Sequence, residues 1–130
     1  MQRHSGSAHS GKIVAIVDDD PAVRNSLKFA LEIEGYEVRI FGDAIELLSD
    51  LAIVHFGCMI IDQKLPTIDG LELVTRLRAR SIVTPVILIT SHPSASVRLR
   101  ASQAGIPIVE KPLLGNALVS RIQSLFDSAV

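Results

Sequence analysis

From residue 12 onward, five short apolar runs alternate with longer segments whose apolar residues recur at helical spacing. That alternation predicts strands in a parallel sheet, each followed by a crossover helix. The predicted strands are Lys12 to Val17, Tyr36 to Phe41, Gly57 to Ile61, Pro85 to Thr90 and Ile106 to Val109, most of them rich in β-branched residues. Their near-continuous apolarity implies helices on both faces of the sheet, an α/β fold.

The helices carry their own punctuation. The first, Pro21 to Glu34, opens on a proline suited to a first turn and stops before Gly35, suited to a left-handed cap; Val23, Leu27, Ala30 and Leu31 form its apolar stripe. The second spans about Ala44 to Leu51 with Asp43 as N-cap, and the third about Gly70 to Arg80 with Asp69 before it. In the third, Leu73, Val74 and Leu77 face the sheet. The fourth, about Ser94 to Ala104, has few large apolar residues and is expected to be the more mobile; the fifth, about Leu114 to Phe126, offers Leu114, Leu118, Ile122 and Leu125. Residues 1–11, rich in Ser, Gly and His without periodicity, read as a flexible leader, and residues 12–128 as one domain.

Charge is placed unevenly along this frame. Asp18, Asp19 and Asp20 stand together where the first strand ends, and Asp62 follows the third. In a parallel α/β sheet the carboxyl ends of neighbouring strands open into one crevice, so Asp18, Asp19 and Asp62 are placed to share a site. Clustered carboxylates repel unless a cation neutralises them, which points to an oxygen-ligated metal; alone, the triplet reads equally well as acids at a helix N-terminus. Thr90 and Ser91 follow the fourth strand and Lys111-Pro112 the fifth. Carboxylates, one hydroxyl and one ammonium suit Mg²⁺ and a transferred phosphoryl group, with a carboxylate as nucleophile.

Across residues 12 to 127 the chain resembles the receiver domain of two-component response regulators, nearest to those joined to a helix-turn-helix DNA-binding domain. Four motifs carry the resemblance in order: Val17-Asp18-Asp19-Asp20-Pro21, Asp62 to Gly70, Thr90-Ser91 and Lys111-Pro112. The resemblance implies a flavodoxin-like, doubly wound five-stranded parallel sheet of order 2-1-3-4-5 with five helices. It implies that Asp62 is the phospho-acceptor and that Asp18, Asp19, Asp62 and the Gln63 backbone carbonyl hold Mg²⁺. Lys111 would pair with Asp62 across a cis bond to Pro112, Thr90 would bind a phosphoryl oxygen, and Asp20 would cap a helix. Lys64 and His92 occupy positions that in the family influence how quickly the phosphoryl group is lost. The implied partners are a histidine kinase or phosphotransfer protein, an output domain or downstream protein, and a second copy bound through the fourth-helix, fifth-strand and fifth-helix face, with Arg98, Ile108, Leu113 and Val119 as candidates. Ile108 stands where receivers usually carry Tyr or Phe, and the fifth-strand segment is short. These departures support the alternative, a degenerate receiver that binds partners without phosphorylation.

Several classes are excluded or disfavoured. Thirteen Lys and Arg against fourteen Asp and Glu leave a net charge of −1, so no overall field draws nucleic acid or acidic lipid. Arg76, Arg78, Arg80, Arg98 and Arg100 read as solvated helix faces. No apolar run reaches the roughly 20 residues that cross a bilayer, and no secretion signal opens the chain. The lone Cys58, within an apolar run, reads as a buried hydrophobe in a cytoplasmic protein. Lys64 stands where an aspartyl phosphatase needs a second acid, and no Gly-x-Gly-x-x-Gly loop follows the first strand, so the chain reads as a signalling domain rather than an enzyme.

Overall fold

The computed structural model describes residues 12–113 and 116–128. The strands are β1 (Ile13–Val17), β2 (Glu37–Phe41), β3 (Phe56–Asp62), β4 (Val86–Thr90) and β5 (Ile108–Glu110). The helices are α1 (Pro21–Ile33), α2 (Ala44–Leu48), α3 (Gly70–Ala79), α4 (Ala95–Gln103) and α5 (Ala117–Ser128), with a 3₁₀ turn at Ile53–His55. All strand pairs are parallel, in the order β2-β1-β3-β4-β5 expected from the resemblance.

Side chains alternate between two apolar layers, as a pleated sheet buried on both faces requires. Ala15, Val17, Met59, Ile61, Val86 and Leu88 point toward α2 and α3, where they meet Leu47, Leu73, Val74 and Leu77. Val14, Ile16, Cys58, Ile60, Ile87 and Ile89 point the other way, onto Leu27, Leu31, Leu118, Ile122 and Phe126 of α1 and α5. A fully buried leucine contributes about 1.5–3 kcal/mol. On that scale Leu73 and Leu77 anchor α3, whereas α4 buries only Ala101, whose methyl is worth about 0.8 kcal/mol.

Local chemistry sets the helix starts. Asp20, Asp43, Asp69 and Ser94 accept from Ala22, Glu46, Glu72 and Val97 N–H respectively, which satisfies otherwise unpaired amides. Gly35 ends α1 at φ 97°, the left-handed region that its missing Cβ permits.

Three expectations shift. The last strand begins at Ile108 rather than Ile106, because the Ile106 N–H closes α4 onto the Ala101 carbonyl and Pro107 has no N–H to give the sheet. Ala30, expected in the α1 stripe, is exposed. Together with Ala22 and Ser26 it is too short to reach α5, leaving a groove of about 750 Å³ between α1, β5 and α5. The fifth helix starts at Ala117; Leu114, and the leader at residues 1–11, lie outside the described residues.

Cys58 is fully buried, and burial pushes its thiol up to about 12. Only thiolate reacts, so a thiol reagent at pH 8 is expected to leave the native protein unlabelled and to modify Cys58 once urea unfolds it, as intact mass would show.

Candidate functional site

The order β2-β1-β3 makes the chain reverse direction across the sheet between β1 and β3, and an open crevice forms at their carboxyl ends. Asp18 leaves β1 there and is wholly buried. Its N–H donates to the Phe41 carbonyl at 3.1 Å and its carbonyl accepts from Arg24 Nη1 at 2.8 Å. Oδ1 accepts from the Asp20 N–H at 2.9 Å. Oδ2 is buried with no hydrogen-bond partner and has only the Lys111 ammonium at 3.1 Å as counter-charge.

Asp62 ends β3 and is 4% exposed. Its Oδ1 accepts from the Lys64 N–H at 3.2 Å and its Oδ2 from Lys111 Nζ at 3.1 Å. Lys111 follows β5, its N–H fixed to the Thr90 carbonyl at 2.9 Å, and a cis bond joins it to Pro112. One ammonium therefore bridges two buried carboxylates. Asp19 is exposed, and it offers an oxygen to the same point: ligand atoms of Asp18, Asp19 and Asp62 lie within 4.8 Å of one another.

Burial raises the Asp62 carboxyl above its ordinary 3.8; the hydrogen bond from Lys111 opposes this, and the Asp18 charge adds to it. Burial alone would lower Lys111, but its hydrogen bond to Asp62 and its ion pair with Asp18 prevail and hold the ammonium above its ordinary 10.5. The sign for stability follows. A raised Asp62 binds more protons folded than unfolded, so its contribution to stability falls as pH rises from about 4 through its folded value. Lys111 adds stability that is complete below 10.5 and is lost as pH climbs through its raised value. Without metal, the wild-type urea midpoint is expected to fall as pH rises above about 4, relative to that of Asp62→Asn, which lacks the titrating group; parallel pH profiles of the two proteins would count against a raised Asp62.

Other residues singled out in the sequence find different places. Thr90 is buried at the end of β4, beside the strand that carries Asp62, and its hydroxyl donates weakly to the Ser91 carbonyl at 3.4 Å. Gln63 turns toward α3: its carbonyl accepts from the Gly70 N–H at 3.0 Å and its Oε1 from the Leu71 N–H at 3.0 Å. Both oxygens tie α3 to β3; a carbonyl has two lone pairs, so the Gly70 bond leaves the Gln63 carbonyl able to accept a further ligand. Asp20 and Asp69 cap helices. His92 is exposed in a turn at φ 46°, and with Gln63, Lys64, Thr90 and Val97 it borders a cleft of about 430 Å³ between the loops after β3 and β4. The larger α1–β5–α5 groove shares Lys111 with the site but is not lined by its acids.

The profile of the response regulator receiver domain family matches residues 14–123. The chain belongs to this family. As a receiver it is 33% identical over 117 residues to the transcriptional regulatory protein FixJ of Bradyrhizobium diazoefficiens, covering 89% of this chain and 57% of FixJ. It is 33% identical over 113 residues to the response regulator MprA of Mycobacterium avium, covering 86% and 50%. The receiver thus spans about half the length of these curated relatives. Among solved structures, FixJ-N superposes with a TM-score of 0.80 at 31% identity, covering 89% of this chain and 94% of FixJ-N. A CheY-like receiver from Methanospirillum hungatei gives 0.79 at 30%, covering 90% and 94%. The donor set also suits a receiver's hard cation: three clustered carboxylates, one with a buried oxygen that accepts no hydrogen bond, balanced by a single ammonium.

Proposed function

We propose that Asp62 accepts a phosphoryl group from a histidine kinase or phosphotransfer protein, and that the domain passes the change to an output domain or downstream protein. The observation that carries this reading is the buried Asp62 carboxylate held 3.1 Å from Lys111, with two further carboxylates within 4.8 Å. A bound Mg²⁺, held by Asp18, Asp19, Asp62 and the Gln63 backbone carbonyl, would neutralise phosphoryl oxygens. An Asp62 oxygen attacks phosphorus in line, the P–N bond breaks, and its electron pair leaves with the imidazole, which takes a proton from solvent. Lys111 stays hydrogen-bonded to the site and offsets charge on the phosphoryl group. Thr90 turns its hydroxyl from the weak Ser91 bond to a phosphoryl oxygen. Water later cleaves the acyl phosphate, so the domain turns over only its own adduct.

The output follows from how α4 is held. With only Ala101 buried and an exposed Arg98–Glu110 ion pair of 3.0 Å to β5, α4 is easily biased between two positions by the loop that carries Thr90. We assign partner binding, including a second copy, to the α4–β5–α5 face with Arg98, Ile108, Leu113 and Val119. We place the domain in the cytoplasm: among the described residues no helix is long and apolar enough to cross a membrane, and Cys58 is a free thiol. Ile108, half-buried on β5, favours a second reading, a module that binds without phosphorylation. Intact mass after incubation with a small acyl phosphate separates the two. One added phosphoryl group that requires Mg²⁺ supports the acceptor; no adduct on a folded, Mg²⁺-binding protein supports the second reading.

A further inference from the structure

Arg24 does not face the reacting groups, yet it holds the backbone that carries two of them. From the first turns of α1 its Nη1 donates to the Asp18 carbonyl at 2.8 Å. The guanidinium lies against the turn after β2, where a Cβ on Gly42 would stand 3.4 Å from both Arg24 Nη1 and Glu46 Oε2. Glu46 in turn accepts from the Gly42 N–H at 3.0 Å, so the wall behind the guanidinium is itself tied down. On its other side the Asp18 N–H is fixed to Phe41 of β2. The Asp19 carboxylate has no such restraint. No hydrogen bond among the described residues orients it, so its aim depends on the peptide between Asp18 and Asp19, whose oxygen Arg24 holds.

We infer that Arg24 is the positioning residue of the acid pair: by fixing the Asp18–Asp19 peptide it brings the Asp19 carboxylate to the point that Asp18 and Asp62 already face. The inference rests on reading those acids as a Mg²⁺ site. It makes a prediction whose sign separates it from simple electrostatics. Removing a positive charge beside an acidic cluster would, by Coulomb's law alone, tighten binding of a dication. Releasing the peptide weakens binding instead, because Asp19 must then give up orientational freedom when the site forms.

The test is isothermal calorimetry of Mg²⁺ uptake by wild type, Arg24→Met and Arg24→Lys, with melting in chelator recorded first. Arg24→Met keeps the apolar stem and removes donor and charge; it is expected to weaken Mg²⁺ about tenfold, the lower end of what outer-shell ligand support contributes. Arg24→Lys restores a donor and is expected to recover most of that loss. Half-saturating Mg²⁺ for phosphoryl uptake should shift with the calorimetric constant, while uptake at saturating Mg²⁺ stays near wild type. If Arg24→Met does not fold, Arg24→Gln carries the same expectation of weaker Mg²⁺. Unchanged or tighter binding by a folded variant overturns the role of Arg24 and leaves the acid site standing. A wild type that takes up no Mg²⁺ overturns both.

Discussion

Asp62→Asn is expected to abolish phosphoryl uptake while making the metal-free protein more stable. The first effect is chemical: a neutral amide oxygen does not supply the carboxylate nucleophile that an acyl phosphate requires. The second follows from burial. Asp62 is 4% exposed, its charged form is disfavoured by desolvation and by Asp18, and one Lys111 ammonium serves both acids. An asparagine keeps one oxygen, enough for either the Lys64 N–H or Lys111 but not both, while removing the repulsion. Removing a charge that the fold disfavours is expected to stabilise the metal-free protein. For a domain of this size each kcal/mol gained raises the melting temperature by about 3–5 °C. Calorimetry in chelator checks it. A lower melting temperature would mean that the Asp62–Lys111 ion pair outweighs desolvation, and an adduct retained by the variant would remove Asp62 from the acceptor role.

The second large effect lies at Gly70. A Cβ there would stand 2.6 Å from the Asp62 carbonyl oxygen and 3.1 Å from the Gln63 Cα, both backbone atoms that no side-chain rotation can clear. At the same time the Gly70 N–H must stay within 3.0 Å of the Gln63 carbonyl. Gly70→Ala therefore forces α3 away from β3 at Asp62, the proposed acceptor. Overpacking of this kind costs about 1–3 kcal/mol, occasionally more, against which alanine's better helix propensity returns roughly 0.5–1 kcal/mol. We expect a net loss of about 2 kcal/mol, read from the urea midpoint, and slower phosphoryl uptake because the Asp62 backbone moves with the strain. A loss below about 0.5 kcal/mol would show that the α3–β3 approach yields easily.

The same two residues show what could be read from the sequence. That Asp62 ends a strand beside Asp18 follows from local patterns: apolar runs stop at acids, and parallel topology gathers strand ends. The caps Asp43 and Asp69 are equally legible, because capping is decided within three residues; the cap at Asp20 is implied by the resemblance. Gly70 was readable only as a turn before a helix; its close approach to Asp62 depends on how α3 packs on β3, which no local pattern encodes. The bond from the Gly70 amide to the Gln63 carbonyl, seven positions away, is likewise set by that packing. The exposure of Ala30 depended on its distance from α5, and the start of β5 on competition between α4 and β4 for the backbone around Ile106 and Pro107. The role of Arg24 leaves no mark in composition or spacing, because its partner is a main-chain carbonyl.

The slight burial of α4 bears on how such a domain diversifies. Because Ala101 is the one side chain that this helix buries, substitutions at Ser96, Arg98, Leu99, Arg100, Ser102 and Gln103 alter little of the core. Selection can rewrite that surface one residue at a time, toward a new downstream contact, without passing through unfolded intermediates and without touching the strand ends where the acids stand. The chemistry and the choice of listener can therefore evolve at different rates within one small protein.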